Sequence, residues 1–147
     1  MVEFRRPLPQ QRESQAGSFD LLGFTHYWAR SRKGHWVVKR QTAAKRFTRA
    51  VKAVEEWCRR NRHRPIREQH TALVRKLRGH CAYYGITGNS KALGRFRYEL
   101  RRCWHKWLNR RSQRRRMPWD RFQRLLEVYP LPPALAVHSV LRHAARP

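Results

Sequence analysis

Residues 76–113 read KLRGHCAYYGITGNSKALGRFRYELRRCWHKWLNRRSQ. Two segments of helical spacing flank Gly85-Ile86-Thr87-Gly88-Asn89, and glycines at both ends of that run favour a turn. On the first segment Ile66, His70, Leu73, Leu77, Cys81 and Tyr84 form an apolar stripe. On the second the stripe runs Leu93, Phe96, Leu100, Cys103 or Trp104, and Trp107, with Asn89 or Ser90 as the cap. Arginines are interleaved throughout. Arginine offers charge for phosphates and a flat face for bases, while Tyr, Trp and Phe offer packing or stacking surface.

Outward from this stretch the pattern stays helical back to Thr42, a good N-cap for a helix carrying Phe47, Val51, Val54 and Cys58. Asn61 to Arg64 interrupts it, and Pro65 suits the first turn of the next helix. Downstream, a shorter helix beginning near Pro118 carries Trp119, Phe122, Leu126 and Tyr129, before an extended proline-rich tail. Upstream of Thr42 the periodicity shortens. Val2-Glu3-Phe4 and Phe19 to Tyr27 read as short strands around a Pro/Gln/Ser/Gly-rich loop from Pro7 to Ser18. Ser31-Arg32-Lys33-Gly34 reads as the turn of a hairpin ending in Trp36-Val37-Val38. The expected fold is mainly α. Short strands occupy 1–41, a three- to four-helix bundle begins at 42 with its main body to 116, and a short helix and proline-containing tail occupy 117–147.

The formal net charge is +26 on 147 residues, with arginine far outnumbering lysine. Such an excess repels itself in a compact fold unless counter-ions or a polyanion neutralise it. Six Trp, six Phe and five Tyr supply enough apolar surface for a core, so disorder throughout is not expected. No run is long or apolar enough to span a bilayer, no segment has an uninterrupted interfacial face, and MVEFRRPLPQQRES lacks a signal-peptide core. A soluble, cytoplasmic chain with no membrane partner is expected. Cys58, Cys81 and Cys103 are far apart and form no Cys-x-x-Cys pair, so they read as buried, reduced core thiols and not as metal ligands.

Basic residues concentrate at Arg59, Arg60, Arg62, His63 and Arg64, and again at Arg110, Arg111, Arg114, Arg115 and Arg116. A charge run is ordinarily a solvated face. The whole-chain excess turns the balance toward phosphate contact, which weakens steeply with salt. Candidate RNA-binding residues are Arg59, Arg60, Arg62, Arg64, Arg75, Lys76, Arg78, His80, Tyr83, Arg110, Arg111, Arg114, Arg115 and Arg116. Phe96, Trp104 and Trp107 fall on the buried stripe and read as core. Neither His80 nor His105 has a carboxylate or nucleophile in a recognisable pattern, so both are expected to be packed or to face RNA. Gly79 inside a helix costs about 1 kcal/mol against Ala, which a close approach or a kink would explain.

Several of these motifs together resemble the thumb and maturase region (domain X) of group II intron reverse transcriptases. They are Arg78-Gly79-His80, Tyr83-Tyr84-Gly85, Gly88-Asn89 and the ending Trp107-Leu108-Asn109-Arg110-Arg111-Ser112-Gln113. In that family an RGH-x-x-YYG-x-x-GN run precedes an aromatic-rich helix with a W-x-x-RRSQ-like end. Phe19-Asp20-Leu21-Leu22-Gly23-Phe24-Thr25-His26 resembles the strand that closes the family's palm. The resemblance covers nearly the whole chain, from about Val2 to Pro147, but only the family's C-terminal part.

The resemblance implies an RNA-binding role: helping the intron RNA fold for splicing and gripping RNA or a primer–template duplex. Implied partners are group II intron RNA, an RNA–DNA duplex and a separate reverse transcriptase chain. The complete family enzymes copy RNA with two Mg²⁺ held by aspartates, including an adjacent Asp pair. Here Asp20 and Asp120 stand far apart and nine acidic residues in all offer no paired-carboxylate setting. No catalytic residue, metal ligand or cofactor is therefore assigned to this chain. A non-functional remnant of a mobile element, a split maturase acting in trans and a general basic nucleic-acid-binding protein are the alternatives. The last explains the charge but not the ordered motifs.

Overall fold

A computed structural model describes residues 4–136 of the chain. The expected strand residues Val2 and Glu3, and the tail beyond residue 136, lie outside them, and Phe4 belongs to no strand. A three-stranded antiparallel sheet is followed by four helices, as the sequence periodicity implies. The chain divides into two compact units, Met1–Phe47 and Thr48–Pro147.

In the first unit β1 (Ser18–Leu21), β2 (Phe24–Arg30) and β3 (Trp36–Thr42) pair in sequence order. The family-like segment from Phe19 is not one strand. It folds back at Leu22-Gly23 so that Leu21 faces Phe24. Both turn residues have positive φ, +53° and +85°, as two-residue hairpin turns of the primed type require. The second turn falls at Ser31–Gly34 as expected, with the Gly34 N–H donating to the Ser31 carbonyl at 2.9 Å. The preceding loop is strapped to the sheet. The Arg30 guanidinium lies 4.5 Å from the Trp36 ring centroid and donates to the Pro9 carbonyl, and Trp36 Nε1 donates to the Leu8 carbonyl.

In the second unit the apolar stripes meet as a bundle. After β3 come α1 (Ala44–Asn61), α2 (Ile66–Tyr84), α3 (Ser90–Asn109) and α4 (Trp119–Val128). Thr42 closes β3, and α1 starts at Ala44. Pro65 and Pro118 immediately precede α2 and α4, where their missing N–H groups cost no helical bond. Asn89 takes the cap position of α3 without a side-chain cap bond. Its amide turns back to donate to the Tyr84 carbonyl at 2.8 Å, which closes the glycine turn where Gly88 has φ +91°.

Val54, Cys58, Leu73, Leu77, Leu100 and Trp104 are buried, and Trp104 meets Phe122 edge-on with centroids 5.8 Å apart. Each such large side chain contributes roughly 1.5–3 kcal/mol by leaving water. Leu108, not Trp107, ends the buried stripe of α3; Trp107 is only half-buried. Segment 117–136 packs into the same unit as the bundle. Leu131 is buried, the carbonyls of Leu131 and Pro132 accept from Arg97, and His70 Nε2 donates to the Pro130 carbonyl.

Candidate nucleic-acid interface

Helices that run up, down and up again bring the C-terminal ends of α1 and α3 to the N-terminal end of α2. The two basic clusters lie at those ends, so 48 residues of separation close to a contact: Arg111 donates to the His63 carbonyl at 3.4 Å. Gln69, fully buried, fastens this pole. Its Nε2 donates to the carbonyls of Arg62 and Arg64 at 3.2 and 2.7 Å, and its Oε1 accepts from Trp104 Nε1 at 3.0 Å. Carbonyls of the loop between α1 and α2 are thereby satisfied by a side chain from α2.

Trp107 sits at the same pole under a ring of cations. The Arg62, Lys106 and Arg110 charges lie 5.8, 5.4 and 5.2 Å from its centroid. Cation–π contact and half-burial explain why a residue expected in the core stands at its rim. Lys106 also pairs with Glu55, which ties α3 to α1.

The linker from Arg110 to Met117 has no regular structure, yet both of its ends are held. Asn109 Oδ1 accepts the Met117 N–H at 2.8 Å, and His105 Nε2 donates to the Met117 carbonyl at 2.8 Å. Arg114, Arg115 and Arg116 are exposed between these ties. Beside the linker lies a cavity of about 480 Å³. Arg111, Arg115, Arg116, Arg121 and His63 line it, with Leu108 and Met117 as its apolar part, and no acidic residue is among its walls.

The candidate residues are not equivalent. Arg59 and Arg60 both bind the Glu56 carboxylate, at 2.6 and 2.8 Å, so part of their charge is already answered. The Arg59 guanidinium beside Glu56 holds that carboxyl down at about 2. Arg62 donates to the Arg59 carbonyl and Arg64 is exposed.

Arg75, Lys76, Arg78, His80 and Tyr83 lie further along α2, up to roughly 25 Å from its start. Arg75 and Arg78 are exposed, while Lys76 is half-buried, 5.7 Å from the Trp57 centroid. Tyr83 is 56% exposed and meets Tyr84 edge-on at 4.6 Å. His80, expected either to pack or to face RNA, is half-buried in a packed position. It stacks on Phe96 at 3.7 Å, packs against Tyr84, and its buried Nε2 has no hydrogen-bond partner among the described residues. Burial pushes its pKa down to about 4, so at neutral pH it is an uncharged packing residue. Gly79 beside it needs no close approach: a Cβ there would meet nothing within 4 Å.

Cys58, Cys81 and Cys103 are free and buried, and burial pushes the Cys58 thiol up to about 12. Among the described residues no three His, Cys, Asp or Glu side chains cluster as a metal site would require. The Thr25 hydroxyl donates to Asp20 within the first unit, and Asp120 lies in the first turn of α4. Among the described residues no helix is long and apolar enough to cross a membrane.

Sequence reading missed Gln69, because a polar residue on a helix flank carries no sign that two carbonyls and an indole will close around it. Arg121 was missed too, since its place at the pocket depends on how α4 docks. No protein-family model matches the chain, and no curated protein or solved structure matches it either.

Proposed function

We propose that this chain is the RNA-binding thumb and maturase part of a group II intron reverse transcriptase, acting on folded intron RNA in the cytoplasm. The observation that carries the reading is the convergence of the two arginine clusters at one pole of the helical unit, around Trp107 and the linker after α3. Charges scattered over a surface attract any polyanion. Charges gathered at one tied-down pole also select a shape, because they must meet phosphates at matching spacing. Arginine-lined helix ends would hold the phosphates of structured RNA or of a primer–template duplex. Splicing chemistry would remain with the RNA, and polymerisation with aspartates that this chain does not contribute. The ordered Arg78-Gly79-His80, Tyr83-Tyr84-Gly85 and Gly88-Asn89 motifs support this family reading over that of a general basic protein.

Affinity measured against salt concentration, for a group II intron transcript and an unrelated structured RNA of equal length, tests the proposal. Preference for the intron that persists near physiological salt is expected. Equal affinities that fade together would instead assign the chain to general polyanion binding or to a remnant without the family's activity.

A further inference from the structure

The cavity beside the linker has a shape and lining that phosphate contact alone does not require. Exposed arginines on a convex helix face, such as Arg75 and Arg78, suffice to meet a duplex backbone. The cavity is concave, and about 480 Å³ falls within the roughly 300–1,000 Å³ usual for small-ligand sites. Its rim is cationic, Ser112 adds a hydroxyl, and Leu108 and Met117 form the apolar part of its wall. A duplex is far too wide for such a space, and its bases are hidden in the stack. A single nucleotide turned out of the strand has the matching halves: an anionic phosphate and a flat apolar base. Guanidinium planes also stack on unpaired bases.

Part of the wall is already held. Met117 is held from Asn109 and His105, and Arg111 from the His63 carbonyl. The ligand then has to order only the exposed rim arginines, Arg115, Arg116 and Arg121.

We infer that this pocket seats one nucleotide extruded from a bulge or loop of an RNA strand, with its phosphate on the arginine rim and its base against Leu108 and Met117. The inference rests on the RNA-binding reading above and adds to it a preference for interrupted helices. Bulged bases are favoured over paired ones because they have the least stacking and pairing to lose.

The test uses the whole chain and two RNA hairpins of matched length and charge at about 200 mM salt. One carries a single bulged 2-aminopurine; in the other the same base is paired. The bulged hairpin is expected to bind about tenfold more tightly, as stacking of one base would give, and 2-aminopurine emission is expected to rise on binding. Met117→Trp fills the pocket without changing charge and is expected to abolish the preference, so that the two hairpins bind alike. Should that variant lose helicity by circular dichroism, Arg121→Gln, which removes one rim charge, is expected to shrink the affinity ratio. Equal binding by the unaltered protein, or a ratio unmoved by a folded variant, overturns the pocket's role while leaving RNA binding intact. Failure to bind either hairpin overturns the RNA-binding reading and the pocket with it.

Discussion

His80 shows how one side chain changes role when its surroundings are known. An arginine-flanked histidine in a basic motif suggests contact with RNA, yet Phe96 and Tyr84 enclose its ring and its Nε2 finds no acceptor among the described residues. Its folded pKa, about 4, lies below the ordinary 6.5, so the unfolded chain takes up the proton more readily. Stability present above pH 6.5 is therefore lost as pH falls through about 4. Thermal melting followed from pH 7 to pH 4 should show this decline, and His80→Phe should flatten it while keeping the stack on Phe96. An identical acid slope in both proteins would show that His80 does not control it. Glu56, held at about 2 from 4.5, acts in a lower window and is distinguishable on that ground.

Between elements, the contacts that set the interface are few and specific. Gln69 joins α2 to the loop that follows α1 and, through Trp104, to α3. Gln69→Leu keeps the volume nearly constant but strands the buried Trp104 N–H and two carbonyls. A loss of about 3 kcal/mol in urea unfolding is expected, with part of it recovered when Trp104→Phe removes the stranded donor. A loss below about 0.5 kcal/mol would mean that water satisfies these groups equally well. The linker after α3 follows the same logic. Asn109 and His105 hold Met117, and the arginines between are carried on an anchored strap. The proline-containing segment is likewise anchored, by Arg97 and His70.

Over the whole molecule, the charge of +26 makes polyanion binding easy and selectivity the harder property. Position then separates one arginine from another. Replacing Arg110, Arg111, Arg114, Arg115 and Arg116 with Gln should lower RNA affinity and reduce the salt slope by about 1 for each phosphate no longer neutralised. Far-ultraviolet circular dichroism should remain unchanged. Replacing Arg59 and Arg60, which already share the Glu56 carboxylate, should change the slope less per charge removed. Equal effects per charge at the two sites would mean that only net charge matters and that the convergence at the pole is incidental.

Much of this protein is legible in periodicity and composition. Helical stripes running through Cys58, Cys81 and Trp104, the turns at Gly34 and Gly88, and prolines placed just before α2 and α4 all act through local backbone preference and the need to bury one face. Those causes are local, so the sequence suffices to place the elements and to give the net charge on which the proposed polyanion binding rests. The assembly of the site depends on contacts between residues distant in sequence. That Arg111 reaches the loop at His63, that Arg121 joins the same cavity, that Gln69 is a buried anchor and that Trp107 rises to the rim follow from how three helix ends meet. A side chain's partners are set by packing across the bundle, and helical spacing specifies a face but not what that face will touch.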